Sequence, residues 1–100
     1  MSPAELLFDF MGRITDDPTM GPSHLGVYVA ILQTYEMQDR RNPVLIQSAG
    51  LKRLAKISAA ATYYKCMRDL REGGYIRYVP SYDPLVGSLV YLVEGERFSQ

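Results

Sequence analysis

Nine cations fall between residues 40 and 78: Arg40, Arg41, Lys52, Arg53, Lys56, Lys65, Arg68, Arg71 and Arg77. Only Asp69 and Glu72 oppose them there, a net of +7. The 39 residues before them carry Arg13 against Glu5, Asp9, Asp16, Asp17, Glu36 and Asp39, a net of −5. The last 22 carry Arg97 against Asp83, Glu94 and Glu96, a net of −2. The formal total of zero therefore hides a strongly basic middle, whose chemistry is the attraction of an anionic partner to one face. Other reactive side chains are few. Asp16 and Asp17 form a carboxylate pair on a Pro/Gly-containing loop, with no histidine, lysine or metal-ligand set nearby to share acid–base work. His24, the lone histidine, is expected to be a surface or inter-helix hydrogen bonder. Cys66, the lone cysteine, is expected to be a small buried hydrophobe. One cysteine allows no internal disulfide, and one histidine builds no Cys/His metal site. With no Gly-rich phosphate loop and no Ser/His/Asp order, the sequence argues against an enzyme and implies no cofactor or metal.

The elements that must position the basic side chains can be read from caps and periodicity. One hundred residues at 47% apolar content suit one domain with one core. No run is long and apolar enough to span a membrane, and the N-terminus lacks a secretory pattern, so a cytoplasmic protein is expected. S-P-A-E at residues 2–5 is a capping-box sequence that opens a helix through about residue 15. That helix is apolar on more than one face, and Leu6, Leu7, Phe10 and Met11 are expected to contribute to a dimer interface. Ser23 is positioned to cap a second helix with a Leu25, Tyr28, Leu32, Tyr35 stripe, stopped by R-R-N-P. Val44-Leu45-Ile46 suits a short edge strand, and Ser48 can cap a third helix that buries Leu51 and Leu54 and exposes Lys52, Arg53 and Lys56. Ser58 can cap a fourth, over 59–72, with Tyr63, Cys66, Met67 and Leu70 on one face and Ala61, Tyr64, Lys65 and Arg68 on the other. On this reading Asp69 and Arg71 belong to a solvated edge. Gly73-Gly74 ends the helix, and a hairpin over 77–93 follows, with Val79, Leu89, Tyr91 and Val93 expected to pack behind the fourth helix and a polar tail after it.

Two helices around a tight turn followed by a hairpin make a helix-turn-helix, over 48–76, with a wing. The run from Leu51 to Ile76, with Leu70, Gly74, Tyr75 and Ile76 in a Leu-x-x-x-Gly-Tyr-Ile pattern, resembles the helix-turn-helix of small bacterial winged-helix regulators. The likeness extends loosely from Ser23 to Val93. It implies an α+β, mainly α fold: a winged helix-turn-helix with an extra N-terminal helix and a small antiparallel sheet. It also implies a homodimer that binds double-stranded DNA in transcription regulation, with helix 59–72 in the major groove. Lys65 and Arg68 would then reach phosphates or guanine edges, and Thr62 and Tyr64 would offer hydroxyls. Ala60 and Ala61 would allow close approach, Ser58 would cap the helix and meet a phosphate, and Lys52, Arg53 and Lys56 would lie over the flanking backbone. Arg77 is the one cation near the wing. No Lys or Arg lies between Tyr78 and Val93, and this neutral hairpin favours the alternative, a winged-helix module that binds protein rather than DNA.

Overall fold

The computed structural model describes residues 1–81, 83 and 85–93. Tyr82, Pro84 and the tail expected after Val93 lie outside the described residues. The order is α1 (Pro3–Ile14), α2 (Pro22–Met37), β1 (Val44–Ile46), α3 (Ser48–Ala55), α4 (Ala60–Glu72), β2 (Ile76–Val79) and β3 (Ser88–Leu92). The fold is thus α+β and mainly helical, with one three-stranded antiparallel sheet in the order β1-β3-β2.

Local chemistry sets most of the boundaries. The capping box at α1 forms as the sequence predicts: the Glu5 amide donates to the Ser2 hydroxyl at 3.1 Å, and the Ser2 amide donates to the Glu5 carboxylate at 2.9 Å. The other three serines do not act as caps. α2 starts two residues before the position expected of Ser23, with Gly21 at the cap and Pro22 first in the helix. A proline there loses nothing, because its missing N–H would have no intrahelical partner. Ser48 lies inside α3 behind Gln47, and Ser58 lies in the turn, leaving Ala59 at the α4 cap. That turn, residues 56–59, is set by Lys56 at φ +62, whose left-handed backbone lets the Ile57 amide reach the Lys52 carbonyl at 3.0 Å. α4 closes the same way at Gly74, φ +79, where the Tyr75 amide reaches the Leu70 carbonyl at 3.0 Å.

α2 lies at the centre, packed against α1, α3, α4 and β1. Its burial is correspondingly wider than a single stripe, taking in Val27, Ala30 and Ile31 beside Tyr28, Leu32 and Tyr35. α1 is fastened to it by Phe10, whose ring stacks on Tyr28 with centroids 3.8 Å apart and meets Tyr75 edge-on. Arg13 lies over the same Tyr75 ring and donates to the Gly74 carbonyl at 3.1 Å, tying α1 to the end of α4. Leu6 and Phe10, 3% and 1% exposed, therefore belong to the protomer's own core and are closed to a second chain. The broad apolarity of α1 has two destinations: one side faces α2, and Phe8 and Met11 remain outside.

The hairpin runs one residue out of phase with expectation. Val90 and Leu92 are the buried positions of β3, opposite Tyr78 and Ile76, whereas Leu89 and Tyr91 point the other way and Val79 is exposed. A one-residue change in register moves every side chain to the opposite face, so a run apolar on both faces gives no reliable phase from sequence. Gly87, at φ +82, brings the β3 start against β1, where a β-carbon would sit 2.7 Å from the Ile46 carbonyl oxygen. Two side-chain amides complete the sheet. Asn42 exchanges a pair of hydrogen bonds with the Leu92 backbone, both at 3.0 Å. Gln38 does the same for the outer edge of β1, donating to the Leu45 carbonyl at 2.7 Å and accepting from its amide at 3.0 Å.

Candidate functional site

α4 is held down by Tyr63, Cys66, Met67 and Leu70, all buried as the periodicity predicts. Burial also pushes the Cys66 thiol up, which keeps it protonated and inert. With that face committed to the core, the opposite one projects outward. Ala61, Tyr64, Lys65, Arg68 and Arg71 line a shallow groove of about 510 Å³ together with Tyr78 from β2. The spacing of these helical residues, i, i+3, i+4, i+7 and i+10, is that of one continuous stripe. Arg71 thus belongs to the basic row rather than to a solvated edge, and its distance from Arg68 would have been enough to place it there. Tyr78 carried no such signal, because its position depends on strand pairing.

The remaining predicted residues are distributed differently. Ala60 and Ser58 are exposed at the start of α4, and Thr62 is half-buried outside the groove. Lys52 is half-buried on α3, and Lys56 is exposed in the turn. Arg53 lines a separate groove with Met37, Leu45 and Leu54, the last exposed where burial was expected. Arg77 sits on the outer face of β2, its guanidinium over the Tyr91 ring at 5.3 Å, and does not join the α4 row.

A polar cluster that runs from buried His24 to exposed Lys65 supports this face from behind. The Gly21 amide donates to Nδ1 of His24 at 3.0 Å, so the proton of a neutral ring lies on Nε2, which is 2.8 Å from Asp69 Oδ2. Lys65 Nζ donates to the same oxygen at 2.8 Å. Asp69 is therefore the joint between the N-terminus of α2 and the basic row. The Lys65 ammonium and the His24 ring hold its carboxyl below the usual carboxylate range. Lys65 is correspondingly part-neutralised, whereas Arg68 and Arg71 have no ion-pair partner among the described residues.

A second groove, of about 650 Å³, lies beside the first and shares Tyr64 and Tyr78 with it. Its lining runs from Gln47, Ser48 and Ala49 at the start of α3 to Ser81 and Ser88 in the hairpin, and includes Tyr63. Tyr63 is fully buried, and its hydroxyl has no hydrogen-bond partner among the described residues. Burial, with the Tyr78 and Tyr64 phenols close by, raises its pKa and keeps it a phenol able to donate. Among the described residues no three His, Cys, Asp or Glu side chains gather as a metal-holding group, and no helix is long and apolar enough to cross a membrane. No family model, curated protein or solved structure matches the chain.

Proposed function

We propose that the chain is a winged helix-turn-helix module that binds double-stranded DNA as a homodimer and acts in the cytoplasm to regulate transcription. The observation that carries this reading is the outward stripe of α4. One face of the helix is sealed into the core, and the other presents Tyr64, Lys65, Arg68 and Arg71 with no acidic residue in the groove lining. An α-helix about 10–12 Å across fits a major groove about 12 Å wide. Arginine forks can then take guanine O6 and N7, while lysine and tyrosine take phosphate oxygens. The four-residue turn between α3 and α4, and the β2–β3 hairpin beside them, supply the arrangement that such a helix needs.

A random duplex titrated with the chain at low and moderate salt tests the reading, since phosphate-driven affinity falls steeply with salt. Arg68→Ala should cost about 1–3 kcal/mol if it reads a base, and relax discrimination at one base pair. Lys65→Ala should cost less, because Asp69 already compensates that charge. Absence of any shift at low salt would end the DNA reading. A protein-binding winged helix is the second reading, favoured by the exposed, apolar Leu85 and Val86 at the hairpin tip and by the lack of cations from Val79 to Val93.

A further inference from the structure

The groove beside the basic row contains two sets of uncommitted hydrogen-bond donors. α3 begins in it without a side-chain cap: the Gln47 side chain makes no cap bond to the helix, and the Gln47 carbonyl accepts from the Leu51 amide at 2.9 Å. The amides of Ser48 and Ala49, the first two of the helix and both in the groove lining, therefore have no intrahelical acceptor and lie at its partially positive end. The second set is the hydroxyl of Tyr63, a fully buried residue of the same lining, which has no hydrogen-bond partner among the described residues. A buried hydroxyl left unbonded is costly, so it points to an acceptor that the described residues do not supply. Among the described residues of the lining the one carboxylate, Asp83, is turned into its own turn, where it accepts from the Leu85 amide at 2.9 Å. Donors from two directions with no cation among them suit a compact oxyanion with several lone pairs, which backbone amides at a helix start bind well.

We propose that this groove is a phosphate-oxyanion site, bonded by the amides at the start of α3 and by the Tyr63 hydroxyl. Tyr64, packed edge-on against Tyr63 and half-exposed, swings aside to admit the anion. Two sources share this chemistry. One is a backbone phosphodiester of a duplex lying on the adjacent basic row, which rests on the DNA-binding reading. The other is a free phosphate or phosphomonoester, which does not.

The test is an amide-resolved NMR titration of the full chain with inorganic phosphate, against chloride at equal ionic strength. The expected result is a saturating shift of the Ser48 and Ala49 amides. Tyr63→Phe should melt at or above the wild-type temperature and bind phosphate about tenfold more weakly, the scale of a hydrogen bond to a charged group. Unshifted amides in the wild-type chain, or a Tyr63→Phe variant that titrates like wild type, would overturn the site. The same titration with a random duplex separates the sources. Shifts of the same amides that inorganic phosphate competes away assign the site to the phosphodiester, whereas duplex binding that leaves them still while phosphate moves them assigns it to the free anion. A chain that binds phosphate but no duplex retains the site and loses the DNA reading.

Discussion

At the scale of single residues, Asp69 links the parts of the site. It accepts from His24 on α2 and from Lys65 on its own helix, and both hold its carboxyl below the ordinary value of 3.8. A lowered folded value means that its contribution to stability is fully present above the unfolded value and is lost as pH falls through the folded one. Thermal melts from about pH 5 down to about pH 3 should therefore show wild type losing more stability than Asp69→Asn. Glu5 and Asp17, whose carboxyls are also lowered, titrate in both proteins and cancel from the comparison. The same substitution frees Lys65. On the DNA reading, Asp69→Asn should bind a random duplex more tightly than wild type and steepen the salt dependence by about one counterion. Equal salt slopes would mean that Lys65 does not meet the duplex.

At the scale of elements, two joints make sharp expectations. The α3–α4 turn places Lys56 in the left-handed region, which favours glycine and penalises a side chain. Lys56→Gly should leave stability unchanged or raise it by up to about 1 kcal/mol in denaturant unfolding, offset in part by the greater freedom of the unfolded glycine. Any accompanying loss of duplex affinity then belongs to the lost charge alone. The second joint is the outer edge of β1, where the Gln38 amide occupies the position of a neighbouring strand. Gln38→Ala should cost about 1 kcal/mol, the usual net worth of such bonds. It also opens an unpaired edge beside the exposed Leu45, so sedimentation at high concentration should show more self-association than wild type.

At the scale of the whole molecule, α1 both closes the core and leaves an apolar surface. Phe10 is 1% exposed between Tyr28 and Tyr75, and Phe8 is 69% exposed two residues away. Phe10→Ala should cost about 3–5 kcal/mol, a large part of the stability of a domain this size. Phe8→Glu should leave the melting temperature nearly unchanged. If the dimer is held through α1, its seam is Leu7, Phe8 and Met11 rather than Leu6 and Phe10, and Phe8→Glu should shift sedimentation toward monomer. A wild-type chain that is monomeric at tens of micromolar contradicts the dimer.

The positions of the helices and the two-sidedness of α4 are legible in the sequence. Leu70, Met67, Cys66 and Tyr63 recur at helical spacing, S-P-A-E and Gly74 mark ends whose backbone chemistry is local, and the basic stripe through Arg68 follows from the same periodicity. The serines near the other helix starts carry no such certainty, because several neighbouring residues can each serve as the cap and the choice falls to the surrounding turn. Only the tertiary structure decided the face of each strand in the hairpin, because Leu89-Val90-Tyr91-Leu92 is apolar at every position and pairing alone selects Val90 and Leu92 for the core. It alone decided that Leu6 and Phe10 belong inside while Phe8 does not. It also brought together residues distant in sequence, His24 with Asp69 and Tyr63 with the start of α3, which no spacing rule reaches because hydrogen bonding and burial between elements depend on how those elements pack.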